Sequence, residues 1–160
     1  MAKGLLKWVI LPAVWLWAAR MERRALRHGR PLNRRELALA RKAGVRHPDR
    51  IRVLVVEEMP SAGLPWMRHL AARWGLSMDG VIGLCLRYGI FLRRRPARLE
   101  TFVHECVHTA QCERLGGLAA FLSRYLGECL EHGYDRAPME MEAERVCRRL
   151  RARAIEPAPA

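Results

Sequence analysis

Between Pro96 and Gly117 the chain repeats apolar residues at Leu99, Phe102, Val103, Cys106 and Ala110. This three-and-four spacing fits one face of an α-helix and does not fit a strand. Pro96 can open that helix in its tolerant first turn, and Gly116-Gly117 ends it. A helix with one apolar stripe folds only against a second layer, so the rest of the chain must supply a core for it. Within the same stretch, His104, Glu105 and His108 lie off the apolar stripe.

The surrounding sequence predicts helices and a small sheet. Residues 4–28 read as a helix containing Pro12. Asn33 is placed to cap a second helix, Arg34–Ala43, which stops at Gly44. Ile51–Glu57 is rich in β-branched residues and reads as a strand, followed by a loop over Met59–Gly63. Pro65–Trp74 reads as a helix, and Val81–Leu86 and Tyr88–Arg93 read as strands. After the central helix, Leu118–Leu130 is periodic again, Gly133 breaks it, and Pro138 opens a last helix over Met139–Arg151. The fold class that follows is α+β, with helices packed around a small sheet. The expected organisation is a helical region over 1–45, a catalytic domain over 46–152 and a flexible tail over 153–160.

Length and composition narrow the function classes. The chain has 160 residues, which suits one domain with a real core. Its net charge of +13 is spread along the sequence, with its densest runs at Arg20–Arg35 and Arg93–Arg95. No helix-turn-helix, finger or RNP signature accompanies the charge, which argues against a nucleic-acid partner. Five cysteines, an odd number without a C-x-x-C pair, fit reduced thiols in the cytoplasm; Cys106 reads as a core residue. Trp8–Ala19 is an apolar run of 12 residues, too short to span a bilayer comfortably. The arginines after it favour a cytoplasmic location, with this segment either buried or lying on a membrane. An anionic membrane surface is therefore a candidate partner for residues 1–35.

The chemistry is concentrated in His104-Glu105-x-x-His108. Residues four apart stack on one helix face, so both imidazoles can reach one ion from a rigid support. Neutral imidazole suits Zn²⁺, and Glu105 is placed to act as general base beside it. A third protein ligand is needed. The longer metzincin pattern is closed, because Gln111 and Arg114 stand where Gly and His would be required. Downstream carboxylates and imidazoles stay open: Glu128, Glu131, His132, Asp135, Glu140, Glu142 and Glu144. Glu113 is too far along the same helix to close a tetrahedron with both histidines.

His104-Glu105-x-x-His108 followed by Glu140-x-x-x-Glu144 resembles the gluzincins, zinc metallopeptidases with H-E-x-x-H and then E-x-x-x-D. The small single-domain members, the minigluzincins, are closest in size, and Pro138–Glu144 (PMEMEAE) is similar to their E-x-E-A-D segment. The resemblance covers about residues 88–150. It implies a zincin-like domain, one Zn²⁺ held by His104, His108 and Glu140, and a peptide or protein substrate. It places Glu144 where the family has an Asp that hydrogen-bonds a ligand histidine. No segment matches the family's transition-state donor; Tyr134, Tyr125 and His132 are the candidates. The peptidase reading also expects Tyr88–Arg93 to be the edge strand beside which a peptide adds. The alternatives are a zinc-stabilised binding module without turnover and a basic membrane or nucleic-acid adaptor.

Overall fold

The computed structural model describes residues 2–61, 80–95 and 99–155. The expected helix over Pro65–Trp74, the opening turn at Pro96 and the tail after residue 155 lie outside them. The described elements are α1 (Ala2–His28), β1 (Arg30–Pro31), α2 (Arg34–Lys42), β2 (Arg52–Val56), β3 (Gly83–Leu86), β4 (Gly89–Arg93), α3 (Leu99–Arg114), α4 (Leu118–His132) and α5 (Pro138–Ile155). The architecture is α+β; the described residues form five α-helices around one mixed four-stranded sheet.

Local sequence sets several boundaries as expected. Asn33 accepts from the Glu36 N–H at 2.9 Å, and the Glu36 carboxylate accepts from the Asn33 N–H at 2.9 Å, a reciprocal capping box that starts α2. Gly44, at φ 100°, follows the end of that helix in the left-handed region. Gly117, at φ 135°, donates its N–H to the Cys112 carbonyl at 3.0 Å and closes α3.

The sheet runs in the order β1-β2-β4-β3. β1 pairs antiparallel with β2, β2 parallel with β4, and β3 antiparallel with β4. This corrects the expectation for Tyr88–Arg93. β4 is an interior strand, and β3 is the edge. The cause is two-sided burial. Ile90 packs with α2, α3 and α5 in one core cluster, while its neighbour Phe91 packs with α1 and α4 in the other. A strand that buries both faces reads as a continuous apolar run and sits inside a sheet.

The N-terminal helix brings a second correction. Among the described residues, no helix is long and apolar enough to cross a membrane. Of the two expectations for Trp8–Ala19, burial or lying on a membrane, the packing supports burial of part of the run and corrects the membrane alternative. Part of this run packs inward: Ala18 is fully buried, Val14 and Trp17 flank the same cluster, and Trp17 Nε1 donates to the Ser61 carbonyl at 3.1 Å. Farther along, the small side chain of Ala25 lets the helix lie close over β4, where a Cβ on Gly89 would approach Ala25 Cβ to 2.8 Å.

Candidate metal centre

Helix α3 delivers three of the site's groups. Its apolar stripe, Phe102, Val103, Cys106, Val107 and Ala110, is buried in the core, which fixes the helix's rotation. That rotation turns His104 and His108 toward the start of α5. Helix α5 begins at Pro138, and its third residue, Glu140, is buried. Glu128 of α4 holds this start in place by accepting the Met139 N–H at 2.8 Å.

The three side chains converge. His104 Nε2 lies 3.0 Å from Glu140 Oε2 and 3.0 Å from His108 Nε2, and His108 Nε2 lies 3.2 Å from Glu140 Oε1. A tetrahedral ion with bonds of ~2.0 Å separates its ligand atoms by about 3.3 Å. Each imidazole nitrogen stands at about that separation from the other and from one of the two Glu140 oxygens, and His104, His108 and Glu140 lie close enough to hold a metal ion. Two imidazoles and one carboxylate are a donor set that suits a borderline divalent metal.

Hydrogen bonds around the triad hold each ligand. Gln111 Nε2 donates to the Met139 carbonyl at 2.9 Å and to Glu142 Oε2 at 3.0 Å. Its Oε1 therefore faces His108 and accepts from Nδ1–H at 2.8 Å. Glu142 is anchored in turn by Arg114 at 2.7 Å. Tyr125 donates its hydroxyl to Glu140 Oε1 at 2.5 Å, with its ring stacked on Phe121. The Cys147 thiol lies close to His104, with its Sγ 4.0 Å from the Glu100 carbonyl.

Electrostatics follow from this packing. Burial resists ionisation of Glu140, but hydrogen bonds from His104 and His108 hold its carboxyl well below the usual carboxylate range. Burial also opposes charge on His104, yet its contacts with Cys147 and Glu140 and the charges of Glu105 and Glu140 push it up to about 10. Glu105 is buried one residue along from the first ligand. Burial raises its pKa, His108 and His104 partly offset this, and the Cys85 N–H bonds its carboxylate.

One expectation fails here. Glu144 reaches neither histidine; it is exposed and pairs with Arg148 at 3.2 Å. The stripe of α5 that faces α3 runs through Glu140, Ala143 and Cys147; Glu144 lies on the flank of Glu140 that points away from Ala143 and so reaches solvent. His132 is exposed in the last turn of α4, 3.9 Å from Glu131, and takes no part in the triad. Asp135 and Glu131 are likewise exposed, and Glu113 instead accepts the N–H groups of Arg46 at 2.7 Å and His47 at 3.0 Å. Tyr134 stands at the rim. Burial of its hydroxyl raises its pKa, and the charges of Glu140 and Glu105 raise it further.

Sequence reading missed Gln111, Cys147 and Gly83, and weighed Tyr125 only as a transition-state donor. Gln111 lies three residues after His108, one helical turn, and that spacing was the available signal. Gly83 carried none. A Cβ there would run into the Glu105 carboxylate and come within 2.6 Å of Thr101 Cγ2, so the bare backbone lets β3 lie against the Glu105 face of α3. Comparison of the chain with protein-family models, curated proteins and solved structures finds no match. The site's own geometry therefore carries the functional reading.

Proposed function

We propose that this chain is a zinc-dependent metallopeptidase of the gluzincin type, with His104, His108 and Glu140 as ligands and Glu105 as general base. The observation that carries the reading is the convergence of two imidazole nitrogens and the Glu140 carboxylate, with the buried Glu105 carboxylate beside them. His₂Glu is a donor set used by catalytic zinc sites, which keep one position open. A bound zinc ion would supply Lewis acidity and make water nucleophilic near neutral pH.

The chain's own residues divide the remaining work. Gln111 fixes the His108 tautomer, leaving Nε2 free to ligate. Glu105, made more basic by burial, takes the proton of the attacking water and returns it to the leaving amine. The Tyr134 hydroxyl at the rim donates to the oxyanion that develops on the scissile carbonyl. Among the described strands β3 is one edge of the sheet, and its Gly83 end abuts Glu105, so a peptide added along β3 would bring its backbone past the base.

The test is metal analysis followed by peptidase assay. Purified protein should carry about one zinc per chain. The variants H104A and H108A should lose it. Glu105→Gln should keep the zinc and lose hydrolysis by at least ~10²-fold. A zinc-loaded wild type without activity on any unfolded protein or peptide library would favour the non-catalytic zinc module. Absence of stoichiometric metal would defeat both.

A further inference from the structure

A second polar cleft of about 210 Å³ lies at the other end of β3 and β4 from Gly83. Arg46, His47, Arg50, Arg87, Tyr88 and Glu113 line it. Its charge is unbalanced. The Glu113 carboxylate accepts the Arg46 and His47 N–H groups and the Tyr88 hydroxyl, the last at 3.1 Å, and so is committed to fixing the loop before β2. Among the described residues, neither Arg46 nor Arg50 forms an ion pair with a carboxylate. Arg87 has only Glu22 at 3.9 Å.

Two guanidiniums share one aromatic ring. The Cζ atoms of Arg50 and Arg87 each lie 5.3 Å from the Tyr88 centroid. Cation–π contact holds each charge there, yet gathering like charges at one ring is unfavourable until an anion joins them.

The backbone adds an independent observation. Arg87 has φ 58°, the one non-glycine residue in the left-handed region among the described residues. That conformation is unfavourable for a residue with a Cβ, and Gly or Asn would relieve it at a hairpin turn. The turn nevertheless carries an arginine there, anchored because Thr109 donates its hydroxyl to the Arg87 carbonyl at 2.9 Å. Strain retained at a residue that delivers charge into a cleft is the signature of a binding position.

We propose that this cleft binds a phosphate group, through the guanidiniums of Arg46, Arg50 and Arg87. Planar forked donors match tetrahedral phosphate oxygens in pairs, and the cleft falls below the ~300 Å³ of a drug-sized ligand site, so it suits a small anion. The assignment does not depend on the metal centre.

Isothermal titration of the full chain with inorganic phosphate at about 0.15 M salt tests it. One saturable site with a Kd of about 1 mM or tighter is expected. Arg50→Gln should weaken it by about tenfold or more. Arg87→Gly should do the same while melting no lower than wild type, because glycine relaxes the turn. Arg148→Gln, on distant α5, should bind like wild type. Tighter binding of phenyl phosphate than of inorganic phosphate would assign a phosphomonoester, and the reverse would assign the free anion. Non-saturating heat, or equal binding by R50Q, R87G and wild type, would overturn the proposal.

Discussion

His108 donates its Nδ1–H to Gln111 Oε1 at 2.8 Å, one helical turn along α3. The amide cannot be turned the other way, because its nitrogen is already committed to the Met139 carbonyl and Glu142. A neutral amide thus does what a carboxylate often does for a ligand imidazole, and ties α3 to the start of α5 as well. Partners of this kind typically contribute 10–100-fold to metal affinity. Under the zinc proposal, Gln111→Leu should therefore weaken zinc binding by about that factor, read by competition with a chelating dye, with unchanged far-ultraviolet circular dichroism. Wild-type affinity in the folded variant would show that the bond is incidental.

Glu22 gives a pH dependence away from the metal centre. It is a buried residue of α1, and burial raises its carboxyl pKa, with Arg87 and the Tyr88 N–H only partly compensating. The folded state therefore holds this proton more tightly than the unfolded chain. Stability from this group is present below the ordinary carboxyl value of 4.5 and is lost as pH rises through the raised folded value. Glu22→Gln should remove that loss. Melting temperatures from pH 4 to 7 should decline less, or rise more, in the variant than in wild type, and the variant should be at least as stable at pH 7. A steeper decline in the variant would contradict the sign.

Gly83→Ala tests the approach of β3 to Glu105. The added methyl meets the Glu105 carboxylate and lies 2.6 Å from Thr101 Cγ2. Overpacking of this kind costs about 1–3 kcal/mol, which a shift of the urea midpoint would read. Under the peptidase proposal, hydrolysis should fall as well, because the base is displaced. An unchanged midpoint and unchanged activity would mean that β3 moves aside freely.

Thiol reactivity should be graded by burial. Burial pushes the Cys112 and Cys129 thiols up to about 12, and those of Cys85 and Cys106 well above their ordinary value. Cys147 is only half-buried. Since the thiolate is the reacting species, a thiol reagent should modify one cysteine quickly in the native protein and the remaining four after unfolding. Mass mapping should place the fast label on Cys147. Rapid native labelling of Cys106 would show that α3 is not packed as described.

The sequence by itself determined what is local. The capping box at Asn33, the glycine stops at Gly44, Gly117 and Gly133, and the apolar stripe of α3 all depend on residues within a turn or two of one another. The same is true of His104 and His108, whose four-residue spacing obliges them to share a face. Reading Glu140 as the third ligand needed a family resemblance, since seven downstream groups were open to it.

Tertiary structure decided what depends on how elements cross. Whether Glu144 or Gln111 supports a histidine depends on which stripe of α5 meets α3, and Ala143, small and fully buried, sets that stripe and turns Glu144 outward. Whether β3 or β4 forms the edge depends on strand order, and β4 lies inside because Ile90 and Phe91 each have a separate core to enter. The cleft around Tyr88 is assembled from the loop before β2, the β3–β4 hairpin and the end of α3, segments up to 67 positions apart along the chain. Periodicity reports which face of an element is apolar, but it carries no information about which other element covers that face.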